Sequence, residues 1–172
     1  DTRQGYVQPF VIYCKIKDPT IYSAILKTAT TLTSDATTST GGATYPIQYP
    51  VLFGSSLYTV SSNATNLGNI PSYPNSIDVY GPITNPKILN YATGEYIQVN
   101  TTINSVSDVL HIEYDNSKMI VTVNGNSVFQ YVTSDSTYFK IQPGDNIITL
   151  SGSSVGTGAY CNLFYRDSYA LA

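Results

Sequence analysis

Residues 118–132 read KMIVTVNGNSVFQYV, two apolar runs on either side of Asn124-Gly125. Asn and Gly both tolerate positive φ, which a two-residue type I′ turn requires at its two central positions. The stretch therefore reads as a β-hairpin with strands at 118–123 and 127–132. Across that turn Val121 pairs with Val128, and Ile120 with Phe129, on opposite faces of the ribbon. One face suits a core. The other, carrying Ile120 and Phe129, needs a cover: an arm, a neighbouring loop or a partner subunit.

Working outward, strand-like runs recur at 76–80, 86–91, 95–101, 108–114, 138–142, 146–151 and 158–168. A spacing of about 8–12 residues marks a sandwich or barrel. Ile97 and Val99 face one way, Tyr96, Gln98 and Asn100 the other. Leu110, Ile112 and Tyr114 likewise oppose Val109, His111 and Glu113, so each strand has a core face and a polar face. Gly81-Pro82 stops one strand, Asn85-Pro86 starts the next, and Thr93-Gly94 turns it back. Upstream, 6–17 reads as a long strand closed by Asp18-Pro19, and 20–32 leans to strand. Residues 28–44 are Thr/Ser-rich and end in Gly41-Gly42, the best loop candidate. Pro46 and Pro50 confine 45–54 to an edge or an extended arm, 57–62 reads as strand-like, and 63–75 reads as irregular.

Composition agrees. Hydrophobic residues make up 42% of the 172, enough to bury a core, while charged residues are only 11%. Thr, Ser, Asn and Tyr take their place, a mix that favours strands and turns over helices. The net charge of −3 and eight scattered Lys and Arg exclude a nucleic-acid partner, which needs a basic stripe. No apolar run is long enough for a membrane span. The opening Asp1-Thr2-Arg3-Gln4 is neither a signal peptide nor an initiator, and reads as a processed product or part of a longer chain.

Few residues suggest chemistry. Gly152-Ser153-Ser154-Val155-Gly156 matches a nucleophile-elbow pattern, but a strand rather than a helix follows it. The single histidine, His111, precedes that serine and lies on a polar strand face, where it reads as a surface residue without partners. The carboxylates Asp108, Glu113, Asp115, Asp135 and Asp145 sit in no ligand-spaced loop; a calcium site drawn from several loops is the alternative to plain turn chemistry. Cys14 and Cys161 fall on the apolar parity of their runs, as two buried thiols or as a disulfide joining first strand to last. No catalytic residue, metal or cofactor is expected, and the chain does not read as an enzyme. Sixteen tyrosines and no tryptophan leave exposed-parity side chains such as Tyr96 and Tyr160 as interface or sugar-stacking candidates.

The order of several stretches resembles the distal tail (minor tail) proteins of long-tailed bacteriophages. These are KIKDPTIYS at 15–23, NLGNIPSYPNSIDVYGPITNPKILN at 66–90, and TGEYIQVN at 93–100. They continue with IVTVNGNSV at 120–128, FKIQPGDNIITL at 139–150 and the closing AYCNLFYRDSY at 159–169. In the last, Tyr165 and Tyr169 stand near positions where the family leads one to expect Trp. The resemblance implies an all-β, antiparallel two-sheet β-sandwich of galectin-like or jelly-roll type, preceded by an extended N-terminal strand or arm. It divides the chain into a trailing strand of an N-terminal ring domain (1–25), a connecting segment (26–70) and a C-terminal sandwich (71–172). It implies a virion structural protein of the tail baseplate hub, made in the bacterial host cytoplasm. Such a protein works as a homohexameric ring between the tail tube protein and the tip or hub proteins. The candidate interface residues are Val121, Val128, Ile120, Phe129, Tyr96 and Tyr160. A carbohydrate-binding module holding a host-surface glycan is the alternative function.

Overall fold

A computed structural model describes residues 20–32, 59–115 and 118–170. Its strands are β1 (Ile21–Tyr22), β2 (Lys27–Leu32), β3 (Thr59–Asn66), β4 (Ser76–Tyr80), β5 (Ile83–Thr84), β6 (Lys87–Asn90), β7 (Tyr96–Gln98) and β8 (Thr102–Ile103). They continue as β9 (Val109–Asp115), β10 (Lys118–Val123), β11 (Asn126–Ser127), β12 (Gly144–Ser151), β13 (Ser154–Val155), β14 (Tyr160–Tyr165) and β15 (Ser168–Tyr169). Six form one sheet in the order β11-β10-β9-β4-β14-β2, and four form another in the order β3-β12-β6-β7. A small sheet, β13-β5-β8, and the β1-β15 pair complete the strand pairing. Every pairing is antiparallel. The molecule is the all-β sandwich that the alternation implies.

Period-two alternation builds the core. Ile77, Val79, Leu110, Ile112, Val121, Cys161 and Leu163 bury the inner face of the six-stranded sheet. Ala64, Ile88, Ile97, Ile148 and Leu150 do the same for the four-stranded sheet, and both sets join one continuous cluster. Each large aliphatic side chain taken from water in this way contributes about 1.5–3 kcal/mol before entropy is counted.

The hairpin turn is as expected: Asn124 and Gly125 have φ of 49° and 81°, and Val123 faces Asn126. The second arm is shorter than expected. Val128 still donates its N–H to the Val121 carbonyl at 2.9 Å, but Phe129–Tyr131 then curl into a 3-10 turn. Phe129 therefore never lies opposite Ile120 in a strand. The run 138–142 is also not a strand. Tyr138, Phe139 and Ile141 are buried, but only Ile141 makes a bridge, to Ser72. Three buried asparagines replace the missing neighbour. Asn90 donates to the Lys140 carbonyl (3.0 Å), Asn66 to Ile141 (3.2 Å) and Asn146 to Gln142 (2.8 Å). Asn146 also accepts the Gln142 N–H at 2.9 Å. Buried backbone groups must find partners, and here amide side chains supply them.

The strand reading of 20–32 holds for β1 and β2, so the overlapping loop reading of 28–44 fails at 28–32, and 63–66, read as irregular, is also strand. β2 runs through Leu32 into the Thr/Ser-rich stretch, because it pairs with all six residues of β14. β3 extends to Asn66 because it pairs along the whole of β12. The long strand read at 6–17, the arm at 45–54 and Cys14 lie outside the described residues. Cys161 is a buried free thiol, and burial, followed by the charge of Asp78, pushes its pKa up.

Between β14 and β15 the chain forms a seam that ties β1, β2 and β3 together. The Asp167 carboxylate takes Lys27 Nζ at 2.7 Å and the Leu67 N–H at 2.9 Å. Lys27 also donates to the Thr65 carbonyl at 3.2 Å. Arg166 donates to the carbonyls of Ser23 (2.8 Å) and Ala24 (2.6 Å). Gly68 lies so close to β15 that a Cβ there would sit 1.9 Å from the Ser168 carbonyl oxygen.

Candidate functional site

Register places side chains from distant parts of the chain in rows on the outer face of the six-stranded sheet. One row runs Thr30, Asn162, Asp78, His111, Thr122, Ser127, polar from edge to edge. The next row toward the β14 start holds Tyr160, Tyr80 and Val109. On the other side stand Phe164, Ser76, Glu113 and Ile120.

His111 is not without partners. Its Nδ1 meets Asp78 Oδ1 at 2.5 Å across the strand pair, and its Nε2 meets Glu113 Oε2 at 3.4 Å along its own strand. Partial burial draws the imidazole pKa down. Hydrogen bonds to Asp78 and then Glu113, with their charges, outweigh it and raise the pKa above its ordinary 6.5. The protonated ring donates from both nitrogens and bridges the two carboxylates.

Beside this cluster Tyr80 and Tyr160 stack, with centroids 4.3 Å apart and planes 10° from parallel. Burial, then the Asp78 charge, holds the Tyr80 hydroxyl above its ordinary pKa of 10.0, so it stays a donor. Thr30 donates to Asn162 Oδ1 at 2.8 Å. Among the described residues nothing takes up the Asn162 Nδ2 protons, the second oxygen of Asp78, or the two tyrosine hydroxyls.

The expected interface residues separate into four groups. Val121 is 1% exposed and belongs to the core, with Val128 packed against it. Ile120 and Phe129 are exposed. No described segment of this chain forms a strand over the hairpin's outer face. Tyr96 lies on the outer face of the other sheet, its hydroxyl bonded to Asp135 and its ring 3.6 Å under Lys87 Nζ. Tyr160 lies in the row beside the polar one, on the same sheet face that carries Ile120 in the row on the other side.

Asp78, Tyr80 and Asn162 were not singled out by sequence. Their parity was legible, but Asp78 lies 33 residues from His111, and only the sheet order makes them neighbours. A second aromatic group, Tyr73–Tyr114–Tyr138, lies elsewhere, with Lys140 Nζ 4.9 Å from the Tyr73 ring. Ser153 and Ser154 lie in the turn before and within β13, where Asn85 Nδ2 donates to Ser153 Oγ at 2.8 Å. No helix follows them, and the two partners of His111 are carboxylates. Among the described residues no group of three or more His, Cys, Asp or Glu is arranged to hold a metal ion, and no helix is long and apolar enough to cross a membrane.

Residues 67–169, more than half of the chain, match the family described as siphovirus-type tail component, C-terminal domain. No curated protein and no solved structure matches the chain.

Proposed function

Because the chain belongs to the siphovirus-type tail component family, and is a structural component of the virion tail, we propose that it serves as a distal tail protein of the baseplate hub. In this reading it forms a galectin-like sandwich within a homohexameric ring, linking the tail tube to the tip complex, and it is not an enzyme. Residues 1–25 are the trailing strand of a ring-forming domain. Residues 26–70 connect that domain to the sandwich, with β2 and β3 adding strands to its two main sheets.

The observation that carries this reading is the corner where the chain enters the sandwich. Ile21, Ile25, Leu26, Leu67 and Tyr169 are all exposed on or beside the β1–β15 pair. Isolated exposed apolar residues are ordinary, but a group around one junction suits contact with a further domain or subunit. Ile120 and Phe129 offer a second, different apolar patch, and a closed ring needs two unlike patches per subunit. Light scattering and electron microscopy on the full-length protein test it. A hexameric ring supports the hub, and a monomer at virion-like concentrations overturns it.

A second reading, contact with a host-surface glycan, is favoured by the stacked Tyr80–Tyr160 pair beside the half-buried polar row of β14, β4 and β9.

A further inference from the structure

We propose that the outer face of the six-stranded sheet is a saccharide site. Tyr80 and Tyr160 provide an aromatic wall in it, and Asn162, Asp78, His111 and Glu113 provide a hydrogen-bonding floor for a neutral, hydroxyl-rich sugar. This deepens the glycan reading given above and rests on it; the hub reading does not depend on it.

Several polar groups on this face have no partner among the described residues. Asp78 uses Oδ1 on His111, and Glu113 uses Oε2 on the same ring, so each carboxylate has a second oxygen without a partner among the described residues. A carboxylate oxygen is a strong acceptor for a sugar hydroxyl, and a hydrogen bond to a charged group is the stronger kind. Thr30 engages only the oxygen of Asn162, whose two N–H donors have no acceptor among the described residues. The floor thus offers donors and acceptors side by side, as the vicinal hydroxyls of a pyranose require. Neighbouring strands lie about 4.8 Å apart, so Asn162, Asp78 and His111 span roughly 10 Å on three successive strands. Two linked pyranose rings cover that distance.

The site is already formed. His111 fixes both carboxylates, the tyrosines fix each other by stacking, and all of these residues sit on strands rather than loops. Little side-chain freedom remains to be lost on binding.

Charge selects the ligand class. No lysine or arginine stands on the polar row or on the rows to either side of it. Two carboxylates against one imidazolium leave the floor negative. A phosphate-bearing or uronic polymer is repelled, and a neutral sugar is not.

The test is a titration of the full chain, followed by amide chemical shifts, with lactose, maltotriose and triacetylchitotriose as neutral probes and glycerol phosphate as the anionic one. At least one neutral sugar should shift the amides of Asp78, His111 and Asn162. Asn162→Ala, Asp78→Asn and Tyr160→Ala should each weaken that binding about tenfold, and Tyr91→Phe, at an exposed turn after β6, should leave it unchanged. Mapping on the unaltered chain decides the location even where a variant folds poorly. Shifts confined to another surface, such as Tyr73 and Tyr114, overturn this site and leave the glycan reading standing. No shift with any sugar overturns both. Shifts of the same amides by glycerol phosphate alone overturn the ligand class. A hexameric ring without sugar binding leaves the hub reading untouched.

Discussion

The seam around Asp167 and the outer face around Asp78 use the same chemistry differently. At the seam the charged groups are consumed internally, with only the buried Ser168 hydroxyl left over among the described residues. Asp167 holds Lys27 and the Leu67 N–H, and Arg166 holds two carbonyls. On the face, Asp78 and Glu113 are fixed by His111, yet among the described residues each has an oxygen without a partner and Asn162 has donors without an acceptor. A polar cluster satisfied within the chain reports on architecture. One that is ordered but unsaturated reports on an absent partner. The difference is measurable, since removing a group that the seam uses internally should cost folding, and removing a face group that only awaits a partner, such as Asn162, should not.

Gly68→Ala should have the largest effect. The added methyl would meet the Ser168 backbone, which cannot rotate away, so about 3 kcal/mol or more should be lost in urea unfolding. Wild-type stability in this variant would mean that the seam gives way easily, and the contrast would collapse. Asp167→Ala comes next. It leaves Lys27 and the Leu67 N–H without their acceptor, at roughly 2–3 kcal/mol after allowing for the partial exposure of Lys27. Asn162→Ala on the face should stay within about 0.5 kcal/mol of wild type by the same assay. Ser168→Ala is a sharper seam test in the opposite direction. Its buried hydroxyl has no hydrogen-bond partner among the described residues, so removing it should be neutral or stabilise by about 0.5 kcal/mol.

Proton titration should separate the two regions with opposite signs. Burial opposes ionisation of Asp167, but the Lys27 hydrogen bond and the Leu67 N–H overcome it and lower its pKa below 3.8. Its contribution is therefore present above that value and is lost as the pH falls through the lower folded pKa. The His111 pKa is raised above 6.5. Its contribution is full below 6.5 and fades as the pH rises through the folded value. The melting-temperature gap between wild type and His111→Gln should accordingly be wider near about pH 6 than near about pH 8.5. A gap that widens with pH would show the imidazole to be held neutral.

Much of this was legible in the chain itself. Asn124-Gly125 marked the hairpin, and alternation separated Leu110 and Ile112 from His111 and Glu113. Local turn chemistry and period-two patterning act over a few residues, which is why they show. What did not show depends on partners far away in sequence. β2 reads both ways, as strand within 20–32 and as the start of a loop at 28–44, because its Thr-rich residues find their strand partner only in β14. Residues 138–142 looked like strand because their apolar content is right, yet Asn66, Asn90 and Asn146 take the ladder's place. His111 looked solitary because Asp78 reaches it only through the β4–β9 register.

The β2–β14 pairing also has a kinetic side. The hairpin of β9, β10 and β11 closes over a few residues, so it can form as soon as it leaves the ribosome. β2 must wait, because Thr30 meets Asn162 only after 132 further positions have been synthesised. Until β14 emerges, β2 and β4 both lack the strand that lies between them. The nascent chain thus carries open β-edges through most of its synthesis, a state prone to pairing with other copies. Its low charge gives little protection there. Expression should therefore improve more from slower synthesis or a holding chaperone than from substitutions that stabilise the finished sandwich.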